Sequence, residues 1–171
     1  PLKELREALG KVIVATQYSE IRPEISGVFF KIAEGSLTLA ATDSFRLAEY
    51  VISQDKIQSS YEDISFILPM RSAEEFLRIS DGEDAEVEFF IDSSQVLFVT
   101  PLNRFISRLI DGTFPEYQAI FPKQMKSEIW VNRQELMYGI KLVSSLAGRA
   151  YDIMITAKDG EKFLELSSQD S

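Results

Sequence analysis

The hydrophobic positions along the chain alternate between a helical and a strand spacing, and this alternation predicts the same order of elements three times. In each copy a short apolar strand leads into an amphipathic helix, and strands with alternating apolar and polar residues follow. The middle copy is complete, with a strand at Ile64–Leu68, a helix from Met70 to about Ile79, and strands at Ala85–Asp92, Gln95–Thr100 and Asn103–Ile110. A repeat of this length is not a solenoid unit, so it predicts a domain built by doubling a strand–helix–strands unit.

The first and third copies are incomplete. The first opens directly with a helix at Leu2–Val14, without a leading strand, and continues with strands at Gly27–Ala33, Ser36–Asp43 and Phe45–Ser53. The third has a strand at Glu128–Val131, a helix near Gln134–Leu146, and strands at Asp152–Thr156 and Lys162–Ser167. We therefore expect a chain that is cut through its repeats and belongs to a larger protein.

The balance of elements predicts an α+β fold. Strands outnumber helices, and each helix has one apolar face, so each helix is expected to pack on one face of a sheet. In the first helix that face consists of Leu2, Leu5, Leu9, Val12 and Ile13.

Composition removes several classes of function. The 171 residues include no cysteine and no histidine, which excludes disulfides, thiolate chemistry and imidazole catalysis or metal ligation. The net charge of −9 argues against a protein that holds nucleic acid by bulk attraction, although a local basic surface on an acidic body is compatible with it. The absence of cysteine fits a cytosolic protein, and no apolar run is long enough to cross a membrane.

Candidate catalytic groups are scattered. The acidic run Glu83–Glu86 is interpreted as a solvated turn, and Asp43 and Asp111 as carboxylates that bind local backbone. An enzyme with acidic metal ligands and a β-rich interaction module without a DNA role are kept as alternatives.

Two features of the sequence fit either a structural or a functional interpretation. Arg71 and Arg78 are seven residues apart on the second helix and share a face, which fits phosphate contact or a solvated surface. The segment Ala41–Ala48 runs from a strand through a polar turn into another strand. It fits a hairpin with a core phenylalanine, or a surface groove with Phe45 as an aromatic wall.

Three motifs carry a resemblance that covers essentially the whole chain. ATDSFRLA at Ala41–Ala48, RPEISGVFF at Arg22–Phe30 and SRLIDGTFPEY at Ser107–Tyr117 resemble the bacterial DNA polymerase III beta subunit family, the sliding clamps. On that plan residues 1–122 correspond to the middle clamp domain without its first strand, and residues 123–171 to the first half of the third domain. The implied fold is the DNA-clamp fold, with helices on one side of antiparallel sheets.

The resemblance implies a cytoplasmic, nucleoid-associated processivity factor without catalytic residues, cofactor or metal. Two full-length subunits would close head to tail around duplex DNA and tether the polymerase, which raises its effective concentration at the primer end. The implied partners are the DNA polymerase III alpha subunit, the clamp loader, and other polymerases and repair proteins. The implied DNA-facing residues are Arg6, Arg22, Arg71 and Arg78.

The resemblance also implies a groove that captures short, partly apolar linear motifs. The matching positions are Ile25, Thr42, Ser44, Phe45, Arg46, Leu47, Pro115, Ala119, Ile120 and Tyr151. The family often has Gly-His where this chain has Ser44-Phe45, and an arginine sometimes found at the Ala119 position is missing. An altered motif preference is expected from these departures.

Overall fold

The computed structural model describes residues 1–80, 85–125, 127–147, 152–158 and 160–168. It divides into two compact units, Pro1–Ala119 and Ile120–Ser171. The first unit contains helices α1 (Leu2–Val12) and α2 (Met70–Ile79), and strands β1 (Gly27–Ala33), β2 (Ser36–Thr42), β3 (Leu47–Ile52), β4 (Asp63–Pro69), β5 (Glu88–Ile91), β6 (Gln95–Val99) and β7 (Arg104–Arg108). The second contains α3 (Arg133–Ser144), β8 (Met154–Thr156) and β9 (Glu165–Ser167).

The first unit packs two antiparallel sheets against two helices, which confirms the α+β prediction. The sheet orders are β3-β2-β1-β4 and β5-β6-β7. Leu2, Leu5 and Leu9 of α1 are buried in the same core as Phe76 of α2. Aromatic rings fill much of the centre, where Phe30 stacks on Phe66 with ring centroids 4.7 Å apart, Phe76 lies 4.6 Å from Phe98, and Phe89 lies 5.7 Å from Phe98.

The two sheets repeat one register, as the doubled unit predicts. In the first sheet Phe29 pairs with Ala40, and in the second Glu88 pairs with Val99, so both partners lie 59 residues further along the chain. Both pairings are hairpins of neighbouring strands, connected by the short segments 34–35 and 92–94.

The predicted elements of the first unit are present, with shifted ends. The helix bounds at α2 agree with the prediction, whereas α1 ends at Val12 and continues as a 3-10 turn over Ile13–Ala15. The strand predicted at Glu128–Val131 is wrong, because the structure assigns no strand to those residues. A short apolar run forms a strand only beside a partner, and the Trp130 side chain in this segment is instead 89% exposed.

In the second unit, α3 confirms the predicted third helix, and β8 pairs with β9 as an antiparallel hairpin. Asn132 caps α3, since its side-chain oxygen accepts hydrogen bonds from the backbone N–H groups of Gln134 and Glu135. Among the described helices of both units, none combines the length and apolar character that crossing a bilayer requires. The domain boundary at residue 122 stays a prediction.

Candidate functional site

The turn between β2 and β3 is held by one carboxylate. The side chain of Asp43 is almost fully buried, and its Oδ1 accepts hydrogen bonds from the backbone N–H of Phe45 at 3.0 Å and of Arg46 at 2.7 Å. Ser44, between them in sequence, has a φ of 76°, in the left-handed region that non-glycine residues rarely adopt. The interpretation of Asp43 as a ligand of local backbone is therefore confirmed.

Charge strengthens this arrangement. Arg46 lies beside Asp43, with Nε 2.9 Å and Nη2 2.8 Å from Oδ2. The backbone N–H of Arg46 lowers the pKa of Asp43 below its usual value, and the N–H of Phe45 and the guanidinium act in the same direction, against the effect of burial. The carboxylate is thus charged at neutral pH and fixes the turn.

Further hydrogen bonds hold this turn from within, and one joins it to the segment before β1. The Thr42 hydroxyl donates to the backbone oxygen of Arg46 at 2.7 Å and accepts from the backbone N–H of Ser44 at 3.1 Å. Arg22 donates from Nη1 to Ser44 Oγ at 3.0 Å, and from Nε to Glu24 at 3.0 Å. Sequence reasoning assigned Arg22 to DNA and Ser44 to peptide, and it missed their contact because a bond across 22 residues leaves no local signal.

Phe45 and Leu47 present apolar surface in different ways. The Phe45 side chain is 94% exposed, so the alternative of a core phenylalanine is wrong. Leu47 is half-buried and packs against a small hydrophobic cluster, which we call the outer cluster. Its buried members are Ala40, Ile67, Phe114 and Tyr117.

The outer cluster is formed by the segment after β7, which folds back over the first sheet. Phe114 stacks on Phe29 with ring centroids 4.8 Å apart and planes 9° apart, and Tyr117 meets Phe114 edge-on at 5.9 Å. The Tyr117 hydroxyl donates to Glu49 Oε2 at 2.6 Å, and burial raises the pKa of this phenol well above its usual value. The sequence signal for the outer cluster was the pair of aromatic residues Phe114 and Tyr117, three positions apart. The sequence analysis used this pair only as part of a family motif and did not predict a cluster from it.

The other predicted peptide positions differ in their burial. Ile25 is buried in the 3-10 turn Pro23–Ile25. Pro115 is half-buried and directly follows Phe114, a member of the outer cluster, in the sequence. Ala119 is exposed, and Ile120 in the second unit is 71% exposed. Tyr151 lies outside the described residues. The structure thus joins Thr42, Ser44, Phe45 and Arg46 by hydrogen bonds, and supports Leu47 by packing.

The predicted DNA-facing arginines differ in their partners. Arg6 Nη1 donates to Leu77 O at 2.7 Å and Ser80 Oγ at 2.9 Å, which ties α1 to the end of α2. Arg78 is exposed and pairs with Glu75 at 2.7 Å. Arg71 is exposed in the first turn of α2, and within the described residues its guanidinium has no ion pair or side-chain hydrogen bond.

Across residues 1–80, 85–125 and the shorter described ranges, no three acidic side chains are grouped closely enough to hold a metal ion. What the first unit does present is a hydrogen-bonded turn with an exposed aromatic ring beside a supported leucine.

Comparisons with known proteins agree on one family. The family described as DNA polymerase III beta subunit, central domain, matches residues 1–116. The beta sliding clamp of Bacillus subtilis strain 168 is 34% identical over 172 residues, covering 98% of this chain and 44% of that protein. The beta sliding clamp of Staphylococcus epidermidis is 30% identical over 167 residues, with the same coverage of 98% and 44%.

Solved structures give the same result. The crystal structure of the DNA polymerase sliding clamp from Bacillus subtilis matches with a TM-score of 0.91 and 31% identity, covering 99% of this chain and 44% of that one. The Helicobacter pylori beta clamp bound to a DNA ligase peptide matches with a TM-score of 0.81 and 26% identity, over 98% of this chain and 48% of that one. The chain spans about half the length of these relatives or less, and it has the fold of the sliding clamps. It belongs to the family of the bacterial DNA polymerase III beta subunit.

Proposed function

We propose that this chain is part of a replicative sliding clamp, a ring that encircles duplex DNA and tethers DNA polymerase for processive synthesis. Family membership and the doubled sheet-and-helix architecture support the proposal. In it, residues 1–122 act as the middle domain and residues 123–171 as the first half of the third domain. The full-length protein is a head-to-tail dimer in the cytoplasm, associated with the nucleoid, and acts by enclosure and not by bond chemistry.

The second part of the proposal is capture of linear peptide motifs. The observation that carries it is the turn over residues 42–47, because buried Asp43 fixes its backbone while Phe45 is exposed and Leu47 rests on the outer cluster. A surface that is already ordered loses little conformational entropy when a peptide binds. The Helicobacter pylori relative with its DNA ligase peptide is consistent with this role.

The proposed peptide contacts are those predicted from the resemblance. Leu47 supplies apolar area, worth roughly 25 cal/mol per Å² removed from water, and Phe45 forms one wall. The proposed partners are the DNA polymerase III alpha subunit, the clamp loader, and other polymerases and repair proteins. The proposed positions are Ile25, Thr42, Ser44, Phe45, Arg46, Leu47, Pro115, Ala119, Ile120 and Tyr151.

Phosphate contact by α2 completes the proposal. Arg71 is the arginine best placed for it, since it is exposed without a partner among the described residues. Arg78 could exchange Glu75 for a phosphate, and Arg22 and Arg6 would first have to leave the contacts described above. Contacts of this kind position a protein on DNA without reading its sequence.

Leu47→Asp tests peptide capture. The substitution places a charge against the outer cluster and removes apolar contact area, so we expect at least about a tenfold loss of affinity. The measurement is fluorescence anisotropy with a labelled peptide carrying the clamp-binding motif of a polymerase III alpha subunit, titrated with the full-length protein.

Val51→Asp is the matched control. Val51 lies on the same strand and is 52% exposed, so it accepts a charge without burying it. The control should keep the affinity of the unaltered protein, and circular dichroism should show that both variants are folded. Equal affinities for folded Leu47→Asp, Val51→Asp and unaltered protein would remove Leu47 from the binding surface.

A further inference from the structure

The second sheet carries a row of apolar side chains on the face that is turned away from the core. Side chains alternate along a strand, so one set in β5, β6 and β7 points into the core and the other set points outward. In the outward set Phe90 pairs with Leu97, and Leu97 pairs with Ile106. Phe90 is 56% exposed, Ile106 is 60% exposed, and Leu97 is half-buried. We call these three residues the apolar row.

The fold does not require this row to be apolar. The first sheet repeats the same register, and its equivalent row consists of Lys31, Thr38 and Val51. Two of the three positions are therefore polar in the first sheet and apolar in the second. Exposed apolar side chains that lie side by side within a polar rim are typical of interaction sites.

The rim of the apolar row is charged, with opposite signs on its two sides. Glu88 and Asp92 lie on the β5 side, and Arg104 and Arg108 lie on the β7 side, all of them exposed. Two strand spacings, about 10 Å, separate the two sides. Within the described ranges, Glu88, Arg104 and Arg108 form no ion pair or side-chain hydrogen bond. We call the apolar row and these four residues the second-sheet face.

We propose that the second-sheet face binds the same face of a second copy of this chain, about a two-fold axis parallel to β6. A two-fold interface uses one patch on both copies. This axis turns one copy over, so that its β7 lies over β5 of the other copy while each row stays opposite itself. Glu88 then meets Arg104 of the second copy, and Asp92 meets Arg108 of the second copy.

The apolar row is complementary to itself about the same axis. Leu97 lies at the axis and meets Leu97 of the second copy. On either side of it, Phe90 meets Ile106 of the second copy. Two sheets that pack face to face keep their strands within about 30° of each other, which allows these pairs to form.

The charges select this axis over the alternative. A two-fold axis across the strands would place β5 over β5 and β7 over β7. Glu88 would then lie over Asp92 of the second copy, and Arg104 over Arg108 of the second copy. Like charges placed opposite each other suppress an association, so only the axis along β6 satisfies both the apolar row and its rim.

The size of the second-sheet face determines how strong the dimer is. Three strands about 4.8 Å apart and five residues with a rise of about 3.4 Å cover roughly 14 Å by 17 Å. This footprint is about a third of the roughly 800 Å² that each partner contributes to a standard interface. We therefore expect a weak and reversible dimer, with a Kd of about 0.1–1 mM.

Exchange of charges between two variants tests the proposed pairing. Glu88→Arg and Arg104→Glu each place like charges opposite each other in their own dimer, so each should weaken dimerisation at least about tenfold. In an equimolar mixture of the two variants every pair is again of opposite sign. The mixture, and the double variant in one chain, should dimerise within about threefold of the unaltered chain. The measurement is sedimentation equilibrium at low ionic strength, where charge pairs are least screened.

Ile106→Asp and Val51→Asp test the apolar row as a matched pair. The two positions are equivalent in the two sheets and are 60% and 52% exposed. Ile106→Asp should weaken dimerisation at least about tenfold, because it places a charge in the apolar contact. Val51→Asp should leave it unchanged, and circular dichroism should show that all variants are folded.

Three results would overturn the proposal. The unaltered chain could remain a monomer at about 1 mM, above the expected Kd, which would leave the face to a different partner. All variants could associate like the unaltered chain, which would assign the association to another surface. The equimolar mixture could fail to recover although both single variants are folded, which would exclude the axis along β6. Assays of DNA or peptide binding at protein concentrations far below this Kd leave the face unoccupied, so the outcome is independent of the proposed clamp function.

Discussion

Replacing Phe114 by alanine should destabilise the first unit and remove the support under Leu47. The Phe114 ring is 7% exposed, stacks on Phe29 at 4.8 Å, and meets Tyr117 at 5.9 Å. Removing a buried phenylalanine costs about 3–5 kcal/mol in a well-packed core. The outer cluster is small and lies near the surface, where relaxation is easier, so we expect a loss of about 3 kcal/mol. In a chain of this size that loss lowers the unfolding midpoint by roughly 6–12 °C.

Phe45→Ala is the control for this prediction, because it makes the same chemical change at a side chain that is 94% exposed. Its midpoint should stay within about 1 °C of the unaltered chain. Unfolding should be followed by far-ultraviolet circular dichroism or calorimetry. Fluorescence of the single tryptophan, Trp130, would report on the second unit. Similar midpoints for Phe114→Ala and Phe45→Ala would refute the idea that Phe114 anchors the outer cluster.

Two further predictions concern charge. In the full-length ring, Arg71→Ala should shorten retention on nicked circular DNA and make that retention less sensitive to salt. Arg104 is an exposed arginine on β7, and its replacement by alanine should change neither property. Equal retention of the two variants would contradict a role of Arg71 in DNA contact. Asp43→Asn should lower the unfolding midpoint at pH 7. Because the folded-state pKa of Asp43 is depressed, its charge contributes stability above the unfolded value near 4, and this is lost as the pH falls through the folded value. The midpoint difference from the unaltered chain should therefore shrink below about pH 4, and a difference that stays constant down to pH 2 would contradict the assignment.

Much of the fold was predictable because its information is local. The bounds of α2 agreed with the prediction since its apolar face and the preceding Pro69 are both visible in sequence. The hairpins were predictable from alternation and short polar turns. The failure at Glu128–Val131 has the opposite cause, because a strand depends on a partner strand, and a short apolar run does not form a strand without one.

The sequence indicated which residues form the turn between β2 and β3, but not which contacts hold it. The resemblance located the residues of the turn, yet the stacking of Phe114 on Phe29 joins positions that are distant in sequence. The bond between Arg22 and Ser44 is of the same kind. Neither pair shares a periodicity or a motif, so only the folded chain brings them together.

The conformation of Ser44 bears on the proposed role of this turn as a binding surface. A left-handed φ at a residue other than glycine is unfavourable by roughly 1–2 kcal/mol, and it persists only where surrounding contacts fix it. Here those contacts come from Asp43 to the two following N–H groups, from Thr42 to the backbone on both sides, and from Arg22 to the Ser44 hydroxyl. None of them uses the Phe45 ring, which therefore remains free for a ligand although its backbone is fixed. The position of the aromatic ring follows from polar contacts beneath it, so a change of the ring alone should alter which peptides bind without altering the turn.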